Sequence, residues 1–460
     1  MEDLLMKAVD FGLKLGAEHV ELKAEETSKT LITTKDGKVE VVREGFEAGV
    51  NIRVLVKGAW GCVSTLKTNQ QSLLKAVEDA YKLAQSSSKK IKEKVKLAEV
   101  KACKDKSLIK PVKDPRNIPI NQKIEEILTV DKTLFKLDSQ VKSCTIDYLD
   151  LVGKDFFVNS ENSFIEKEKL YVWLRVYATA READVFASAS EELGSTAGYT
   201  IFNENPPEKL GEKIVKRLKT QLKAKPAKGG IFPVVLGSNV VGVFIHEAFG
   251  HLAEADLTLS GSVILDKLGK KIASENVTVF DDGTVEGAFG SFKYDDEGVP
   301  SQKTILVKDG VIVGLMHNRE TAGKFNVKPT GNARAENFRH VPIIRMRNTY
   351  LKPGDYSFEE LIEPIKFGYY LKNFRGGQAN LDGTFQVGVQ EAYEIVNGKI
   401  GEPVRNLSIS GNTLETLKKV EAVGKDFKLW PGRCGKGQIA FVCDGGPSIR
   451  VGEIQIGGRR

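Results

Sequence analysis

Two periods of apolar residue run through the first half of the chain. Residues 3–15 follow the helical period and stop near Gly16. Segments 20–24 and 30–34 alternate apolar and polar side chains, the pattern of half-buried strands, and lead into Lys35-Asp36-Gly37-Lys38. Asp-Gly beside alternating runs is a hairpin signal, because both residues accept the positive φ of a tight turn. Segments 49–56 and 59–64 extend the sheet. Residues 70–85 return to the helical period, with Leu73, Leu74, Val77, Ala80, Tyr81 and Leu83 towards one side. The order then repeats, with a helix over 121–137, strands near 141–152, 156–164 and 170–179, and a further helix over 207–222.

Residues 223–230 are polar, small and bear Gly and Pro, which predicts a domain boundary. Beyond them the chain is punctuated by Gly and reads as short strands. Asp309-Gly310 and Asn397-Gly398 lie between strand-like runs and repeat the hairpin signal. The expectation is an α+β fold. An N-terminal α+β domain (1–225) holds two similar helix/sheet blocks, and a mainly β domain (226–460) carries one distorted helix.

That helix holds the densest chemistry. His246-Glu247-Ala248-Phe249-Gly250-His251 follows the apolar run 240–245. Imidazoles are neutral zinc ligands, and a Glu beside one can take a proton from a water that the metal polarises. In H-E-x-x-H the two His stand about 40° apart around a helix; at i and i+5 they splay by about 140°. Both reach one ion only if the helix bulges, as a single-turn π-bulge allows. Gly250 is the expected place for the distortion, since Gly tolerates unusual backbone angles. The pattern alone also suits a buried, hydrogen-bonded His pair. The chain has five His, and His19, His317 and His340 are scattered, with structural roles expected.

Composition removes several classes. At 460 residues with 41% hydrophobic side chains, the chain fills a large core. No apolar run reaches the ~18 residues that span a bilayer, and the start lacks a basic leader, so a cytoplasmic protein is expected. Five widely spaced Cys make no disulfide framework; Cys62, Cys103, Cys144 and Cys443 are expected to stay reduced. Much of the net charge of +7 sits in the Lys-rich stretch 89–113, which has acids interspersed and almost no aromatic stacking platforms. Nucleic acid is therefore not the expected partner. No strand-to-helix phosphate loop is present either.

The motif resembles the HExxxH of the TldD branch of the TldD/PmbA metalloprotease family. The resemblance continues, in order, through Asp281-Asp282-Gly283-Thr284, Asp295-Asp296-Glu297-Gly298, Thr330-Gly331-Asn332-Ala333-Arg334, Arg345-Met346-Arg347-Asn348-Thr349-Tyr350 and Gly432-Arg433-Cys434-Gly435-Lys436. It is dense over 230–460 and looser before, where Asp36-Gly37-Lys38-Val39-Glu40 and Gly58-Ala59-Trp60-Gly61 still fit. It implies a zinc-dependent peptidase with one zinc per catalytic subunit, held by His246, His251 and, by position, Cys434. Lys436 beside Cys434 would help to hold a thiolate. Glu247 is the implied general base. His340, Arg334 and Tyr350 are candidates for oxyanion or substrate binding. Glu254 and Asp256, just after the motif, are candidates to orient a ligand His through its second nitrogen.

The sister branch lacks the HExxxH residues, so the resemblance implies the catalytic partner of a dimer, formed with a TldE/PmbA-like sister subunit or a second copy. The implied substrates are small or unfolded peptides. The family's historical label as DNA gyrase modulators supplies a competing expectation, a regulatory or binding protein with a structural metal. Structural zinc usually takes four protein ligands and three are named here, so an open place for water favours catalysis.

Overall fold

The computed structural model describes residues 1–458. The two helix/sheet blocks of its N-terminal half share one continuous sheet. His19–Lys35, in a hairpin with Lys38–Val56, pairs with Val141–Asn159 from Thr145 to Asn159, and strands Ala59–Thr65, Phe164–Glu182, Val185–Ser195 and Lys104–Ser107 complete seven. Helices Glu2–Lys14 and Gln70–Ser87 cover one end through Leu5, Val9, Leu73 and Val77. Helices Ile120–Leu137 and Pro207–Lys223 cover the other through Ile127, Val130, Ile214 and Leu218.

Two expectations are corrected here. Segments 20–24 and 30–34 are one strand, and the strand expected over 156–164 is broken by a turn. Asn159 Oδ1 accepts the backbone N–H of Glu161 (3.1 Å) and of Ser163 (3.0 Å), and Asn162 takes φ 64°. The apolar alternation lapses over 25–29, where every residue is polar, and the polar members Glu21, Lys23, Glu25 and Thr27 are buried. Lys23 pairs with Asp296 at 3.0 Å, Lys169 with Glu25 at 2.9 Å, and Arg53 bridges Glu21 (2.6 Å) and Glu297 (3.1 Å). The block 295–298 is thereby clamped onto the back of the N-terminal sheet, which makes an ion-paired layer between the two halves.

The C-terminal half holds two larger sheets. One has six strands, with Asn348–Leu351, Ile439–Gly446 and Lys428–Gly435 at one side. In the other, Phe367–Ala379, Gly230–Leu236, Ile449–Gly457, Ser408–Asn412 and Thr384–Val396 pair successively, and the last pairs back onto the first, so five strands close a ring. Between ring and six-stranded sheet runs the helical segment 238–253, whose Val240, Phe244, Ile245, Ala248 and Phe249 are fully buried. The stretch 223–230 carries a two-residue strand, Lys225–Pro226, alongside Val404–Arg405. All three Asp-Gly or Asn-Gly turns form, each with positive φ at both residues. Among the described residues no helix is long and apolar enough to cross a membrane.

Candidate metal centre

The helical segment changes pitch where the motif requires it. Ser238–Val243 is α-helical, Phe244–Gly250 is wound as a π-helix, and His251–Ala253 tightens to a 3-10 turn. The wider winding absorbs the extra residue and returns His251 to the side of His246. Gly250 is needed for a reason other than the expected one. Its backbone is ordinary helix (φ −56°, ψ −47°), whereas a Cβ there would collide with Met346 Sδ. Close packing selects the glycine.

Cys434 comes from the antiparallel hairpin Lys428–Gly435/Ile439–Gly446. The register pairs Cys434 with Ala440, Gly432 with Val442 and Trp430 with Asp444, so these six share one face, turned towards the helix. The ligand atoms of His246, His251 and Cys434 all lie within 4.8 Å of one another. Sγ stands 3.4 Å from His251 Nε2, and the two rings are nearly perpendicular with centroids 5.3 Å apart. Arg345, fully buried, donates to Cys434 O at 2.7 Å and to Gln438 O, which fixes the backbone that carries the thiol.

The electrostatics suit a cation among these groups. Burial alone would raise the Cys434 thiol, but His246 and His251 pull it down to about 5. His251 is pushed up to about 10: burial opposes this, and the thiol and Glu254 overcome it; His246 is raised too, chiefly by the thiol against burial. Lys436 is not the group that holds the thiolate. Its Nζ lies 2.8 Å from both Asp256 carboxylate oxygens and 3.2 Å from Glu254 Oε2. Two neutral nitrogens and one thiolate form a donor set of the kind that binds zinc. The residues fit the metal.

Around the trio, Glu247 is a third exposed, with Oε2 3.8 Å from His251 Nε2, open to a substrate. Glu254 is wholly buried and receives His251 Nδ1 at 2.8 Å, the orienting contact expected of it. Asp256 instead anchors Lys436. The three other candidates are tied elsewhere. Arg334 donates to Met346 O (2.8 Å) and Phe441 O (2.7 Å), Tyr350 bonds Asp282 Oδ2 (3.1 Å), and His340 bonds Asn337 Oδ1 (3.0 Å). None of these partners belongs to the trio. Arg334 lines a cavity of about 610 Å³ against the N-terminal sheet, with Tyr171, Arg433 and Phe441. Arg433 and Phe441 pair in register one residue out of step with Cys434 and belong to the other face of the hairpin, while Ala440, opposite Cys434, also borders the cavity.

His19 and His317 are buried, and each has a hydrogen-bonding neighbour, Glu21 and Thr321 respectively. All five cysteines are free thiols. Residue reasoning had no signal for Arg345 or Met346 as supports of the site; both act through contacts across about ninety residues of chain.

A helix-borne His-Glu-His set facing a strand-borne thiol is a site of metallopeptidase type. Models of the PmbA/TldA metallopeptidase match domain 1 over residues 20–84, the central domain over 113–222 and the C-terminal domain over 229–458. The chain belongs to this family. It is 41% identical over 446 residues to a metalloprotease of Methanothermobacter thermautotrophicus, with 96% of each chain covered. It is 36% identical to a zinc metalloprotease TldD homolog of Saccharolobus solfataricus, covering 99% of this chain and 100% of the relative. The fold matches that of a Thermotoga maritima protein described as a candidate modulator of a DNA gyrase (TM-score 0.80, 24% identity, 99% and 100% covered). It also matches TldE from Thermococcus kodakarensis (TM-score 0.79, 19% identity, 99% and 100% covered).

Proposed function

We propose that the chain is a zinc-dependent peptidase that hydrolyses small or unfolded peptides. The observation that carries this reading is the convergence of His246, His251 and Cys434 within 4.8 Å, with Glu247 on the same helical turn and open to solvent. Bound there, zinc supplies Lewis acidity towards a carbonyl and towards water. His246, His251 and Cys434 would hold it, with the Glu247 carboxylate beside them. The Glu247 carboxylate takes the proton from the attacking water and returns it to the departing amine nitrogen. Glu254 holds the His251 ring through Nδ1, which leaves Nε2 facing Cys434.

The three-ligand set supports catalysis over a structural metal, which usually takes four. The enzyme works in the cytoplasm, as a dimer with a TldE/PmbA-like sister subunit or with itself. Zinc-loaded chain, incubated with a mixed peptide library and followed by mass spectrometry, tests the reading. Cleavage by the parent and none by Glu247→Ala is the expected result. Equal cleavage by both would contradict it.

A further inference from the structure

Each imidazole that holds a metal usually donates its other ring N–H to an acceptor, which sets the tautomer and the ring plane. Glu254 does this for His251. For His246 no acceptor is in contact: Nδ1 is fully buried and has no hydrogen-bond partner. A buried donor left unpaired loses its hydration and gains no bond in exchange, so such an atom points to a missing contact.

A second orphan lies beside it. Asp444 stands on the same face of the hairpin as Cys434, opposite Trp430, and its buried Oδ1 has no partner either. Trp430 spends its indole N–H on Ser238 Oγ at 3.2 Å, so it does not serve Asp444. The helix abuts this carboxylate at Gly242, where a Cβ would collide with Asp444 Oδ1. Gly242 is four residues before His246, one turn along the same helical face. The absence of a side chain at Gly242 is what lets Asp444 approach the helix this closely.

We propose that Asp444 is the positioning residue of His246, its carboxylate accepting the Nδ1–H and turning Nε2 towards Cys434 and His251. The charges nearby agree with this placement. Burial pushes Asp444 up to about 7, His246 opposes the rise, and Glu192, Glu247 and Cys434 add to it. Each ligand imidazole then has its own acid, Glu254 from the motif helix and Asp444 from the thiol hairpin. The inference rests on the metal-ligand reading of His246.

The test uses the full chain labelled with 15N-histidine and loaded with zinc, with Asp444→Ala and the isosteric Asp444→Asn beside the parent. Nitrogen and proton spectra report which nitrogen of each ring carries a proton, and chelator competition reports zinc affinity. The expected parent shows Nδ1–H on both His246 and His251. In Asp444→Ala the His246 resonance moves or is lost while that of His251 stays, and zinc affinity falls ~10–100-fold. Asp444→Asn, a neutral acceptor, falls by less and protects the experiment against a misfolded alanine variant. Zinc on Nδ1 of His246, or parent-like spectra and affinity in both variants, overturns the inference alone. A parent that takes up no zinc overturns the ligand reading and the inference with it.

Discussion

Glu254 Oε2 lies 2.8 Å from His251 Nδ1 and 3.2 Å from Lys436 Nζ, in a place wholly shut off from solvent. The contact joins His251, on the side of its ring away from Cys434, to the residue two positions after Cys434. Glu254→Ala is expected to lower zinc affinity ~10–100-fold, the usual cost of losing such a partner. Competition against a chromogenic chelator measures it; an unchanged affinity would leave Glu254 with a packing role only.

Cys434→Ala should be more severe, since it removes a ligand and the one anionic donor of the trio. Zinc affinity is expected to fall beyond the ~100-fold upper range for an outer partner. Circular dichroism should remain that of the parent, because the apolar packing of Cys434 is a small cluster with Ala440 and Val442.

Gly250→Ala tests the packing that holds the bulge. The new methyl meets Met346 Sδ, and overpacking of this kind costs about 1–3 kcal/mol. A lower Tm is expected, recovered in part by a second change, Met346→Ala. Full stability of Gly250→Ala alone would mean that the helix shifts freely there.

The ion-paired layer between the halves sets an acid limit. Burial raises the Glu21 carboxyl, yet Arg53 first and then His19 bring it down from 4.5 to about 2. A depressed acid contributes stability that is fully present above its unfolded pKa and is lost as pH falls through the folded one. Asp296 is held well below its usual range by Lys167 and Lys23 against burial, so it acts in the same direction. Unfolding free energy should therefore fall steadily from about pH 4.5 to pH 2. Chemical denaturation at several pH values checks this; in Glu21→Gln the slope over that window should be shallower.

Much of this was legible in the sequence where one residue type has one physical use. Asp36-Gly37, Asp309-Gly310 and Asn397-Gly398 turned where expected, because few residues accept two successive positive φ angles. The i, i+5 spacing of His246 and His251 required a bulge, and the helix has one. The role of Gly250 was misread, since a glycine kept for closeness and one kept for φ look identical in sequence. The stretch 25–29 that joins the expected strands 20–24 and 30–34 was hidden because its residues are polar, and Glu25 is buried by a partner more than a hundred residues away, Lys169. Cys434 had no local signal at all. Its place became visible through family likeness, and its reason, a hairpin face turned to the helix, only in three dimensions.

The most direct measurement is zinc K-edge X-ray absorption on the zinc-loaded chain. One sulfur at ~2.3 Å and two imidazole nitrogens at ~2.0–2.1 Å, with a further light-atom place left for water, is the expected shell. The sulfur should vanish in Cys434→Ala. A shell without sulfur in the parent, or one closed by four protein ligands, would contradict the assignment of His246, His251 and Cys434 as an open catalytic centre.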